Sequence, residues 1–113
     1  MVEHGKGKGA PVQVTVAVPD EDAARRLAEG MVTARLAAAA QVIGPVWSVF
    51  WWRGERRSAS EWLCLAKTTA GRFQRLLAYV REHHAYELPE VTAVPLSDGD
   101  PDYLAWLEEV TGA

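Results

Sequence analysis

Eight consecutive residues, His83-His84-Ala85-Tyr86-Glu87-Leu88-Pro89-Glu90, hold the densest set of metal-capable side chains in the chain. Two imidazoles, two carboxylates and a phenol in that window suit copper or zinc, which accept nitrogen and oxygen ligands. His83, His84 and Glu87 are the candidate ligands. Spacing imposes a condition. Neighbouring side chains on a helix point about 100° apart, so His83 and His84 can share one ion only where the helix has already ended. The plainer reading is a polar helix terminus, with imidazoles beside the negative end of the helix dipole. A second candidate lies at the start of the chain. With Met1 removed, Val2-Glu3-His4 puts a histidine third from a free amine, a geometry suited to square-planar copper or nickel.

Other chemistry is thin. Catalysis needs an activated nucleophile or a convergent acid–base pair. Cys64 sits inside the apolar run Trp62-Leu63-Cys64-Leu65-Ala66 and reads as an inert core thiol. The serines lie in no nucleophile elbow. An enzyme is therefore not expected. The GKGKG run near the start lacks the spacing of a phosphate-binding loop.

The elements that must position these residues follow from pattern. Val12 to Val18 alternates β-branched residues and predicts a strand. Pro19-Asp20-Glu21-Asp22 stops it and caps a helix that buries Ala24, Leu27, Ala28 and Met31 and runs to about Leu36. Ala37 to Ala40 leads into a second strand, interrupted at Gly44-Pro45 by a bulge or bend. Val46 to Thr68 holds four of the five tryptophans around a lone Gly54 and predicts a long antiparallel hairpin. With Arg53-Gly54 as its loop, Trp52 faces Glu55, Trp51 faces Arg56 and Phe50 faces Arg57, so rings and guanidinium groups meet across the tip. Thr69 caps a second helix carrying Phe73, Leu76, Leu77 and Val80. Val91 to Leu96 is the fourth strand, and Asp100-Pro101 opens a last helix stopped by Gly112.

The order β-α-β-β-α-β with a helix appended is the α+β ferredoxin-like arrangement, one four-stranded sheet with both main helices on one face. The other face is expected to lack helices. The hairpin should also project past its helix layer and expose large rings, so self-association is expected. Residues 1–11 read as a Gly/Lys-rich disordered tail and 12–113 as one domain. A net charge of −3 disfavours nucleic-acid or anionic-membrane partners. No apolar run reaches membrane-span length and no leader is evident, while the single cysteine fits a reducing compartment. A cytoplasmic protein is expected.

Several pieces in order resemble the CutA divalent-ion tolerance family: Pro19-Asp20-Glu21, Arg35-Leu36-Ala37-Ala38, Ile43-Gly44-Pro45, Trp51-Trp52-Arg53-Gly54, Lys67-Thr68, His84-Ala85-Tyr86-Glu87-Leu88-Pro89-Glu90 and Pro101-Asp102-Tyr103-Leu104-Ala105-Trp106-Leu107. The resemblance covers everything after the tail. It implies a ferredoxin-like fold, a homotrimer with sheets packed inward, likeness to PII signalling proteins and a link to copper tolerance. The family's assigned copper ligands are a first-strand cysteine and two adjacent histidines. Here the histidines match His83 and His84, while the cysteine position is Val16. A second family cysteine is Ala39 here, the usual Asn is Gln41 and the usual proline after the histidine is Ala85. Without thiolates the expected cofactor is copper(II) or another divalent cation. The rival reading is a metal-independent, PII-like trimer binding a small ligand or an unidentified partner protein in clefts between subunits. Trp52, Lys67, Tyr86 and Tyr103 are the residues expected near such a cleft.

Overall fold

The computed structural model describes residues 7–112. Eight residues, Pro11–Val18, form β1, and Asp20 ends it by accepting a 2.8 Å hydrogen bond from the Ala23 amide at the start of α1, Glu21–Thr33. Ala24, Leu27, Ala28 and Met31 are the buried stripe of α1, as the spacing predicts. The helix stops three residues short of Leu36. Arg35 takes a φ of 57°, and the amides of Leu36 and Ala37 both turn back to the Met31 carbonyl. That reversal delivers Ala38 to the Lys67 carbonyl and starts β2, Ala39–Trp52, where the alanine run was expected to lead into a strand.

The loop Arg53-Gly54 joins β2 to β3, Glu55–Thr69, with φ values of 51° and 79°, the left-handed pair that a two-residue hairpin loop requires. Trp52 pairs with Glu55, Trp51 with Arg56 and Phe50 with Arg57, as the loop placement predicts. Gly44 and Pro45 together oppose Trp62, so the interruption is a bulge. A Cβ at Gly44 would fall within the Trp62 ring, so only glycine allows that contact. After a 3-10 turn at Ala70–Arg72, α2 runs Phe73–His83 and buries Leu76 and Val80. Thr69 does not cap this turn with its side chain. Then come β4, Val91–Pro95, and α3, Pro101–Thr111, with Asp100 capping the start and Gly112 closing the end at a φ of 65°.

One sheet results, in the order β2-β3-β1-β4, with every pairing antiparallel. Val14, Val16, Cys64 and Ala66 face α1 and α2 and form the core with Met31, Leu76 and Val80. On the reverse face the register aligns Gln13 with Lys67, Thr15 with Leu65 and Ala17 with Leu63. That face was expected to lack helices, but it is not wholly free of them. Leu107 and Thr111 of α3 are fully buried outside the main core, and the Thr111 hydroxyl meets that of Thr69 at 3.4 Å. Arg35 and Arg72 satisfy the carbonyls of Val110 and Thr111 and hold α3 down. The appended helix therefore covers the end of the reverse face near Thr69.

The expected tail is shorter at its inner end. Ala10 is buried and donates to Gly7, while Ala70 and Gly71 donate to Ala10 and Lys8, docking this stretch beside the 3-10 turn. Residues 1–6 lie outside the described residues, and with them the Val2-Glu3-His4 site.

Beyond the bulge the hairpin outruns its helices. Trp47, Val49 and Trp51 pair with Ser60, Ser58 and Arg56 and lie on the sheet face that carries the helices. No helix reaches them: they are 72%, 55% and 74% exposed. The molecule is correspondingly long, 46 × 28 × 22 Å.

Candidate functional site

The segment after α2 is organised by one imidazole. His84 is the C-cap of α2, with extended backbone (φ −95°, ψ 140°), so the helix has ended at the second histidine of the pair. Its Nε2 lies 2.6 Å from the Ala17 carbonyl oxygen, which can only accept, and so Nε2 carries the proton. Its Nδ1 then accepts from the Tyr86 amide at 3.0 Å. Both ring nitrogens are spent on backbone. His84 thereby pins the Ala85–Glu90 loop against β1, and the Ala17 amide adds a bond to the Glu90 carbonyl.

His83 differs. It is the last residue of α2; its Nδ1 reaches the Tyr79 carbonyl at 2.8 Å and its ring stacks on Tyr79 at 4.1 Å between centroids. Its Nε2 has no partner among the described residues. Glu87 turns to the hairpin tip, where it accepts from Arg53 at 2.7 Å, and that guanidinium lies 5.2 Å over the Trp52 ring. The aromatic–cation meeting at the tip is therefore between neighbours in sequence. No cluster of three His, Cys, Asp or Glu side chains able to hold a metal occurs among the described residues. His83, His84 and Glu87 are thus near one another in sequence but each is engaged with different partners.

The four residues expected near a cleft are spread over one chain. Trp52 is at the hairpin tip, Lys67 is on the reverse sheet face beside Gln13, and Tyr103 stacks with Trp106 on α3. Of the four, Tyr86 hydrogen-bonds through its side chain to another ionisable group. Its hydroxyl donates to Glu61 at 2.8 Å, and its ring leans on His84 at 4.8 Å. Burial, the bond to Glu61 and the charges of Glu61 and Asp20 push the phenol up to about 12. Glu61 is only 6% exposed, opposite Val46 in the hairpin. Sequence reasoning passed over it. The signal was available in the register, which sets a carboxylate against a β-branched residue just beyond the end of β1. Burial also pushes the Cys64 thiol up to about 11, which removes it as a nucleophile near neutral pH.

A separate open cleft of about 410 Å³ lies between α1 and the hairpin, lined by Glu21, Arg25, Ala28, Glu29, Val42 and Trp62. No helix of the described residues is long and apolar enough to cross a membrane.

Known proteins share this arrangement. The sequence model of the CutA1 divalent ion tolerance protein family matches residues 12–110. The divalent-cation tolerance protein CutA of Thermus thermophilus is 39% identical over 99 residues, covering 88% of this chain and 96% of its own. The CutA of Escherichia coli O139:H28 is 36% identical over 107 residues, covering 95% and 96%. The solved Thermus thermophilus structure superposes with a TM-score of 0.88 at 38% identity, over 90% of this chain and 99% of that one. The ordered motifs, the fold and these likenesses agree: the chain belongs to the CutA1 divalent ion tolerance protein family.

Proposed function

We propose that this chain serves divalent-cation tolerance as a non-catalytic homotrimer that meets copper(II) or zinc(II) through His83. The observation that supports association most strongly is the Trp47-Val49-Trp51 strip, 72%, 55% and 74% exposed on a hairpin that outruns its helices. Rings of this size, contiguous and in water, are the signature of an interface. Ile43, 47% exposed, adds separate apolar surface on the opposite, reverse face. The number three, and inward packing of the sheets, rest on the family resemblance.

Of the two histidines, His83 has the open donor, since His84 spends both nitrogens on Ala17 and Tyr86. Imidazole suits copper(II) and zinc(II); with Val16 in the first strand there is no thiolate to favour copper(I). Glu87 joins such an ion only by releasing Arg53, an exposed pair worth about 1 kcal/mol or less. The lone buried cysteine fits a reducing, cytoplasmic setting.

Sedimentation equilibrium tests the association. Wild type should have the mass of three chains, and Trp47→Ser/Trp51→Ser should shift it towards one chain with the circular dichroism of the fold retained. Wild type at the mass of one chain at micromolar concentration would overturn the reading.

A further inference from the structure

The open cleft between α1 and the hairpin follows from small residues at two positions. Gly44 lets the Trp62 ring lie against the β2 backbone, where a larger residue would collide with it. Ala28 on α1 and Val42 on β2 leave the neighbouring volume unfilled. The space that results, about 410 Å³, is in the range of small-molecule sites, and an indole, a valine and an alanine form its apolar wall.

The charged side of the cleft comes from one face of α1, where Glu21, Arg25 and Glu29 follow at i, i+4 and i+8. The first two answer each other. Oε2 of Glu21 accepts from Nε of Arg25 at 2.9 Å and lies 2.7 Å from its Nη2. Glu29 pairs with no cation among the described residues. The lining therefore carries one unanswered negative charge together with an electron-rich ring. Such a pair attracts a cation twice, through the carboxylate and through the ring quadrupole. An anion finds the Arg25 charge already taken. A metal ion finds a single free carboxylate and an indole that offers it no lone pair.

We infer that this cleft binds a small organic cation, an ammonium group carried on an apolar body. The body packs on Trp62, Val42 and Ala28, and the ammonium group answers Glu29. The site goes beyond the divalent-cation reading and shares no residue with it.

The test is a titration of the full chain, in its native assembly and at low ionic strength, with phenethylammonium as the probe. Phenethyl alcohol and hydrocinnamate are its neutral and anionic counterparts. The readout is the Trp62 indole N–H resonance, identified by its absence in Trp62→Phe. Phenethylammonium should shift that resonance saturably, and the alcohol and hydrocinnamate should bind more weakly. Glu29→Gln should weaken phenethylammonium binding by about threefold to fivefold, the worth of an exposed charge pair. Arg25→Ala, which releases Glu21, should tighten it. Both positions are exposed, so neither substitution disturbs the core. His83→Ala should leave the titration unchanged, so a failure of the histidine contact and a failure of this site are told apart. No saturable shift at Trp62, equal affinity for the alcohol, or equal affinity in Glu29→Gln overturns the site. A response confined to the other indoles places the probe on the exposed strip and also overturns it. If Trp62 is silent in wild type and responds only in Trp47→Ser/Trp51→Ser, a second copy covers the cleft, and the inference fails for the assembled protein.

Discussion

Adjacent histidines invite the same role, yet the structure predicts that removing them has unequal consequences. His84→Ala strips a donor from the Ala17 carbonyl and an acceptor from the Tyr86 amide, 2.6 and 3.0 Å from the ring. Ala17 is 2% exposed, so water cannot easily replace the lost donor. A buried polar group left without its partner costs about 1–3 kcal/mol, and the half-buried amide somewhat less, so a loss of about 2–4 kcal/mol is expected. His83→Ala removes one bond from an exposed ring and its stack on Tyr79, worth about 1 kcal/mol together. Urea unfolding at fixed chain concentration, so that association contributes equally, measures the difference. Amide exchange supplies the local readout. The Tyr86 amide should lose protection in His84→Ala and keep it in His83→Ala. Equal destabilisation by the two substitutions within about 0.5 kcal/mol, inside ordinary surface scatter, would refute the clamp.

Alkaline pH should weaken the fold through two groups. Tyr86 and Cys64 are raised to about 12 and about 11 in the folded chain, against 10.0 and 9.0 for the free groups. The unfolded chain ionises first, so the stability they contribute is complete below pH 9.0 and is lost as pH rises to about 12. Tyr86→Phe should flatten the upper part of that decline in a denaturation series, and an unchanged decline would contradict it. Gly44→Ala should cost about 1–3 kcal/mol because its methyl group must displace the Trp62 ring. Gly54→Ala meets open space and should cost only the roughly 1 kcal/mol of a left-handed alanine. Reversal of that order in thermal denaturation would count against the bulge packing.

Much of the fold was legible because local signals agreed. Period-two alternation marked β1, Asp20 and Asp100 marked two helix starts, and Gly54 fixed the hairpin register through its demand for positive φ. The end of α1 was not legible, since Arg35 takes its left-handed turn to meet a tertiary demand and no glycine announces it. Nor was the docking of α3, which depends on Arg35 and Arg72 arriving from distant parts of the chain at Val110 and Thr111. The candidate site was half legible. Composition picked out the histidine–carboxylate segment, while the helix end that leaves His84 as an extended cap is seen in the structure. Which ring nitrogens remain free is decided by the backbone groups of Ala17, Tyr79 and Tyr86, and these leave no trace in the spacing of the histidines. Glu61 was missed because a single acid between Ser60 and Trp62 resembles an ordinary solvent-facing position until its partner Tyr86 is located.

The central claim, that the chain meets divalent cations and does so through His83, is tested most directly by calorimetric titration with copper(II). The full chain should carry His4→Ala, which removes the Val2-Glu3-His4 geometry as a competing site. Saturable binding to the intact assembly, abolished by adding His83→Ala, is the predicted result. Absence of saturable binding, or binding indifferent to His83→Ala, would contradict the account.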